Sequence, residues 1–246
     1  MNREWLYGRQ AVREVLRADR RPVFLLRIAK GAQERGVLAE ITALARRKEL
    51  RVEFVERDVL DRIGANHQGV AIQAGEYPIV AFPEILEACE QAGPAALLLL
   101  LDQIQDPQNL ASLLRTAEAA RVTGVLLPYR RAAGVTAAVV NASAGAVEHL
   151  RISQTNIAQA IGEIKRRGIW VAGLDAGSGA HPLFDADLTG PLALVVGSEG
   201  EGLRTLVRSS CDVLYRLPMR GNIESLNAAV AGSIALYQVL SQRQKG

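Results

Sequence analysis

Five side chains in this sequence have the types and settings for chemistry: Asn109, Arg115, Glu199, Ser225 and Asn227. Each belongs to a stretch where an apolar run meets a polar or glycine-rich turn, and open α/β sheets hold ligands at such turns, beyond the carboxyl ends of strands. Amide, carboxylate and hydroxyl groups orient a polar ligand and one another, and a guanidinium stabilises negative charge developing on oxygen. Taken singly, each residue also has a plain structural reading. Arg115 reads equally well as a solvated helix arginine, Asn109 as a second capping residue after Asp106, and Glu199 as part of a structural turn. No metal chemistry is expected, because His67, His149 and His181 are scattered and Cys89 and Cys211 lack ligand spacing.

Three stretches carry these residues. In LDQIQDPQNLASLLRTAEAARVTGVLLP (101–128), Asp106 and Pro107 form a helix start, and Leu110, Leu113, Leu114 and Ala117 form its buried face. In LALVVGSEGEGL (192–203), an apolar strand runs into Gly197, Gly200 and Gly202, which let a ligand approach the backbone. It is not a phosphate-binding loop, since the lysine and the spacing are absent. In LPMRGNIESLNAAVAGSIALYQVL (217–240), a strand end and a turn lead into a long helix. Ser225, Leu226 and Asn227 stand at its start, a face of Ala, Gly and Ser allows close packing, and Leu226, Val230, Ile234 and Leu240 supply bulk.

The elements that must position these turns follow from periodicity. Residues 1–76 read as a small α/β unit: helices over GRQAVREVLRAD and VLAEITALARRKEL, strands at VFLLRIAK, VEFVE and QGVAIQAG, and a short helix at DVLDRIG. Residues 77–94, with Pro78, Pro83 and Pro94 around one short acidic helix, read as a linker. From 95 to 246 the pattern is α/β. AALLLLLD and LALVVG are near-continuous apolar strands, GVLLP, HLRIS, IWVAGLD and DVLYRLP are further strands, and helical segments separate them. These start at Pro107, near Val135, at Asn156, near Leu203 and at Leu226. The alternation predicts a mostly parallel sheet with helices on both faces. A nicotinamide-type oxidoreductase on such a sheet needs a glycine fingerprint after the first strand, and LLLLLDQIQDPQN has none.

Bulk composition narrows the partners. The chain has 246 residues, 49% hydrophobic and 22% charged, which are globular proportions. Its longest apolar run, 95–101, is too short to span a bilayer, and no secretory signal opens it. Two distant cysteines fit reduced, buried thiols, so a cytoplasmic setting is expected. The formal charge of +3 is uneven, since residues 1–78 hold 15 Lys and Arg against 11 Asp and Glu. A basic first third points to a polyanionic partner.

The three stretches, in this order near the ends of one α/β domain, resemble the motifs of the SpoU-type branch of the SPOUT RNA methyltransferases. The resemblance spans residues 95–246, and the first unit resembles the ribosomal-protein-like RNA-binding domain often fused there. Within the branch the chain is most similar to the bacterial 23S rRNA guanosine-2′-O-methyltransferases, with SAGAVE at 143–148 as a further matching segment. The resemblance implies a C-terminal trefoil knot holding S-adenosylmethionine against Gly197, Leu217, Met219 and Leu226. It implies ribose 2′-hydroxyl methylation, with Asn109, Arg115, Glu199, Ser225 and Asn227 at the transfer site. Ala111 departs from the glycine that many relatives carry. The resemblance also implies a homodimer, for which the small-residue face of the last helix offers a surface. Two alternatives stand beside this reading: tRNA as the substrate, and a non-catalytic RNA-binding paralogue.

Overall fold

The computed structural model describes residues 2–177 and 179–244. Its strands form two separate sheets, and the chain divides into two units: residues up to Pro78 with Gly134–His149, and Ile79–Ala133 with the chain from Leu150 onward.

The first unit begins with β1 (Arg3–Tyr7), α1 (Arg9–Ala18), β2 (Val23–Ala29), α2 (Val37–Arg47), β3 (Val52–Val55), α3 (Arg57–Asp61) and β4 (Val70–Gly75). Its sheet order is β1-β4-β2-β3, with β2 and β3 parallel and the other pairs antiparallel. In α1, Ala11, Val12, Val15 and Leu16 are buried at helical spacing, and Asp19 ends the helix in the left-handed region at φ 51°. The strand β1 is an addition to the expected elements. It is a five-residue edge strand whose sequence, Arg-Glu-Trp-Leu-Tyr, runs from charged to apolar without alternating, so it shows no period-2 signal.

The second unit opens with α4 (Phe82–Ala92), β5 (Leu97–Asp102), α5 (Pro107–Ala119) and β6 (Gly124–Leu127). After α6 (Ala137–Ala142), which belongs to the first unit, come β7 (Ile152–Gln154), α7 (Ile157–Arg166), β8 (Trp170–Leu174) and the two-residue β9 (His181–Pro182). The chain ends with β10 (Leu192–Gly197), α8 (Thr205–Ser210), β11 (Val213–Arg216) and α9 (Ala228–Arg243). All seven strands are parallel, in the order β7-β6-β5-β10-β8-β11-β9. Every residue of β5 and β10 is buried, as helices on both faces require. On one face, Leu98, Leu100, Ala193 and Val195 pack with residues of α4, α7 and α8. On the other, α9 lies against α5 and β10.

Three features depart from expectation. The connector 77–94 is in large part a helix of the second unit, because Ile85, Leu86 and Cys89 of α4 enter that unit's core. The segment 134–149, including SAGAVE, clusters with the first unit. There Glu148 is fully buried and accepts from Nε and Nη2 of Arg21, whose Nη1 donates to Glu4 at 2.5 Å and to the Gly75 carbonyl at 2.9 Å. The third is α9. Its small face, with Ala228, Ala229, Gly232 and Ala235, is buried inside the chain, while Val230 and Tyr237 are 47% and 53% exposed. A Cβ on Gly232 would come within 2.6 Å of Leu113 and 3.1 Å of Val196, so the small residues serve close packing within the unit. Trp170, expected to pack in a core or interface, is 52% exposed at the start of β8. Cys89 is buried as expected and Cys211 is half-buried, and burial pushes both thiols up to about 11.

The buried Arg21–Glu148 pair gives a direct test of how far 134–149 belongs to the first unit. Removing one partner of a buried ion pair costs about 3–5 kcal/mol. Glu148→Ala is expected to destabilise the protein toward the lower end of that range, since Glu4 still faces Arg21, and urea denaturation would measure it. A loss within the noise of a surface substitution would mean that Arg21 finds its neutralisation elsewhere.

Candidate functional site

The site lies at the carboxyl ends of β8, β10 and β11, where a parallel sheet binds its ligands. A cleft of about 780 Å³ opens there. Its walls are residues 174–177 after β8, 196–202 at the end of β10, 215–219 after β11, and residues 224–226 with Ala228 and Ala231 at the start of α9.

Gly197 shapes the cleft through its own loop. A Cβ there would sit 2.3 Å from the carbonyl carbon of Gly202 and 2.5 Å from Leu203 N, so the loop folds back directly over it. Ser198 and Gly202 exchange backbone hydrogen bonds of 3.1 Å, and Gly200 and Gly202 take φ of 82° and 68°, values that glycine adopts without strain. The loop is anchored behind by Asp102 at the end of β5. This fully buried carboxylate accepts from Arg204 N at 2.9 Å and from its Nε at 2.7 Å, and its Oδ1 lies 2.6 Å from Nη2. One oxygen thus takes Nε and Nη2 of the guanidinium and the other takes the backbone N–H of the same residue, which fixes orientation as well as charge.

Three of the five expected site residues converge. Asn109 stands in the first turn of α5, capped by Asp106, which accepts from Gln108 N and Asn109 N. The Asn109 Nδ2 donates to Glu199 Oε1 at 2.9 Å, and its Oδ1 accepts from Asn227 Nδ2 at 3.0 Å. Asn227 Nδ2 also donates to Glu199. Asn227 is the N-cap of α9, with Oδ1 accepting from Ala229 N at 2.9 Å and Val230 N at 3.1 Å. The cap fixes which end of the amide faces the helix, and hence which end faces Glu199. The helix therefore starts at Ala228, two residues later than expected, because Leu226 and Asn227 belong to the turn.

Glu199 and Ser225 line the cleft, as do Gly197, Leu217, Met219 and Leu226, the residues expected to hold a cofactor. Arg115 does not. It is exposed on α5, outside the cleft, and makes no hydrogen bond or ion pair among the described residues. Six residues along a helix amount to a rise of about 9 Å and a turn of about 240° from Asn109, so the two side chains leave α5 in different directions. Within one chain, the convergence of Arg115 with the others is not met.

Sequence reasoning missed two parts of the site. One is the wall after β8, where Asp175 pairs with Arg208 at 2.8 Å. Burial alone raises its carboxyl, but the hydrogen bonds from Arg208 and Gly177 N outweigh this and hold it below the ordinary aspartate range. The signal was available, since IWVAGLDAG is an apolar strand ending at the ligand edge. The other is Asp102, whose importance depends on a partner 102 residues away.

The cleft's chemistry is mixed. Leu174, Val196, Leu217, Met219 and Leu226 give apolar surface, and its charged lining is Glu199, Glu201, Glu224 and Arg216, together with Asp175, which Arg208 pairs from outside the lining. Such walls suit a ligand that is part apolar and positively charged, and oppose one rich in phosphate. Among the described residues no group of His, Cys, Asp and Glu could hold a metal ion, and no helix is long and apolar enough to cross a membrane.

Comparison with known proteins agrees with this geometry. Residues 96–237 match the SpoU rRNA Methylase family, and residues 5–80 match the domain described as RNA 2′-O ribose methyltransferase substrate binding. The chain is 38% identical over 242 residues to the Bacillus subtilis protein YacO, named as a TrmH-family tRNA/rRNA methyltransferase, covering 98% of this chain and 96% of that one. It is 37% identical over 243 residues to the 23S rRNA (guanosine-2′-O-)-methyltransferase RlmB of Xylella fastidiosa, covering 98% and 97%. Its fold is shared with the SpoU methyltransferase AviRb from Streptomyces viridochromogenes, solved in complex with AdoMet, at a TM-score of 0.82 and 24% identity over 99% of this chain and 92% of that one. With matched domains in both units and relatives aligned over nearly the whole length, the chain belongs to the SpoU rRNA methylase family.

Proposed function

We propose that this protein methylates a ribose 2′-hydroxyl of RNA, a guanosine of 23S rRNA, in the cytoplasm, with S-adenosylmethionine as the methyl donor. The observation that carries the reading is the acidic, part-apolar cleft whose wall residue Glu199 is tied to Asn109 and Asn227. The donor supplies, when bound, an electrophilic methyl group on a positively charged sulfur. The cleft fits it: leucine and methionine side chains suit the adenine, and carboxylates suit the sulfonium and the ammonium group. The name of YacO covers both tRNA and rRNA, so tRNA is the second substrate to test. The threading of the last turn through the loop after β10, implied by the family resemblance, is part of the same proposal. Its support is that both segments line one cleft.

The chain's own task is alignment and charge. Holding two reactants at near-attack distance contributes about 7–11 kcal/mol to lowering the barrier. Glu199, fixed by two amides, keeps the cleft wall in place without rearrangement during the reaction. Ser225, at the mouth of α9, is suited to orient the ribose. Arg115 acts as the stabiliser of a developing 2′-alkoxide, offering guanidinium N–H donors to the oxygen while the proton leaves to water or a phosphate.

Arg115 reaches a cleft through a second copy of the chain in this proposal. The outward stripe of Val230, Ile234 and Tyr237 on α9, next to α5 on the same face, is the surface offered for a homodimer. A helix apolar on all sides belongs in an interior or an interface.

Three outcomes test this. Arg115→Ala is expected to leave S-adenosylmethionine affinity unchanged by isothermal titration while lowering methyl transfer about 10²–10³-fold. Equal loss of both would contradict the role. Gly197→Ala is expected to abolish cofactor binding, because its Cβ displaces the 198–203 loop, with the circular dichroism preserved. Mixing the two inactive variants is expected to restore part of the activity, since one cleft of the mixed dimer has both an intact Gly197 and an arginine from its partner. No recovery in a mixture verified to form heterodimers would place Arg115 and the cleft it serves on one chain.

A further inference from the structure

The first unit's sheet is covered unevenly. One face carries α1, which packs on β1, β4 and α2. On the other, Leu60 of α3 and Ile63 pack with Ala29, Ala71, Tyr7, Val55 and the half-buried Trp5 at the margin of the cluster, and the chain at Gly64 lies against the Tyr7 ring. This covers only part of that face.

The uncovered part carries two arginines laid on aromatic rings. Arg3 stands 4.1 Å over Phe24, and Arg27 stands 4.6 Å over Trp5. Strand register puts them together: Trp5 pairs with Gln73 on β4, and Gln73 pairs with Leu25 on β2. Arg3 and Arg27 each lie two residues from that row, hence on its face. A bulge between Val23 and Leu25 lets Phe24 meet Arg3 there. Arg27 shares Glu53 with Arg51, at 3.2 and 2.7 Å, and Arg3 makes no ion pair among the described residues. Two cations therefore share one carboxylate and Arg3 adds a third positive charge, with the guanidinium groups of Arg3 and Arg27 backed by rings.

Resting on the RNA methyltransferase reading above, we propose that this open half of the sheet binds unpaired nucleotides of the substrate RNA. Bases stack on the guanidinium planes of Arg3 and Arg27, and Arg51 attracts the phosphates. An acidic peptide would meet the charge but leave the planes unused, and a duplex keeps its base faces inside its own stack.

The test uses the full chain carrying Trp170→Phe, so that Trp5 is the one tryptophan left of two. Titration with a mixed-sequence single-stranded oligoribonucleotide is expected to change Trp5 emission saturably, and the matching RNA duplex is expected not to. Arg3→Ala and Arg27→Ala are each expected to weaken single-strand binding roughly tenfold by anisotropy of labelled RNA, in line with the loss of one stacking contact. Cofactor affinity should not change, and Arg27→Gln serves as a second variant should the alanine disturb β2. RNA that binds and is methylated while Trp5 stays silent and the variants bind normally would reject the surface and leave the enzymatic reading standing. A Trp5 response with no methyl transfer to any RNA would reject the enzymatic reading and keep the surface, whereas an equal response to duplex would overturn the preference for unpaired bases.

Discussion

The carboxamide of Asn227 faces two ways, and the site depends on it. Its oxygen accepts from Ala229 N and Val230 N at the start of α9, which leaves its nitrogen directed at Glu199 and Asn109. One side chain thus ties the start of the last helix to the loop after β10 and to the first turn of α5. Helix starts have unsatisfied N–H groups whatever else they do, and this cap meets two of them. Here the same requirement orients the polar cluster beside the cleft. Helix stability and site geometry are consequently hard to vary independently.

Close backbone approach is the second constraint. Gly197 lies under its own loop, and Gly232 lets α9 settle on Leu113 and Val196. A methyl group at Gly197 would meet backbone that has nowhere to go, whereas one at Gly232 would need the Leu113 and Val196 side chains to shift, and both positions bear on the cleft, one through the loop after β10 and one through the helix at its wall. Burying the small face of α9 leaves the larger apolar side chains of Val230 and Tyr237 outside.

The two units divide the electrostatic work. The cleft's lining is dominated by carboxylates, which favours a cationic methyl donor and disfavours phosphate. The first unit's open sheet is dominated by arginines, which favours the polyanion. Net charge conceals this, since the formal balance of +3 is small for an RNA-binding protein.

Much of the second unit could be read from the sequence, because its strands are apolar without interruption and its helices carry their own punctuation. Asp106-Pro107 before α5 and Asn156 before α7 are local signals, and local chemistry is what a sequence displays. Gly197, Leu217, Met219 and Leu226 could be assigned to one cleft only through family resemblance, and the fold does line one cleft with them. Long-range partners were not legible. The clamp of Asp102 on Arg204, the burial of Glu148 against Arg21, and the choice of which face of α9 turns inward each depend on groups far apart in the chain. A carboxylate looks the same in a sequence whether it ends in water or under a guanidinium, and only packing decides which, since burying it without a partner costs more than one unpaired contact can return.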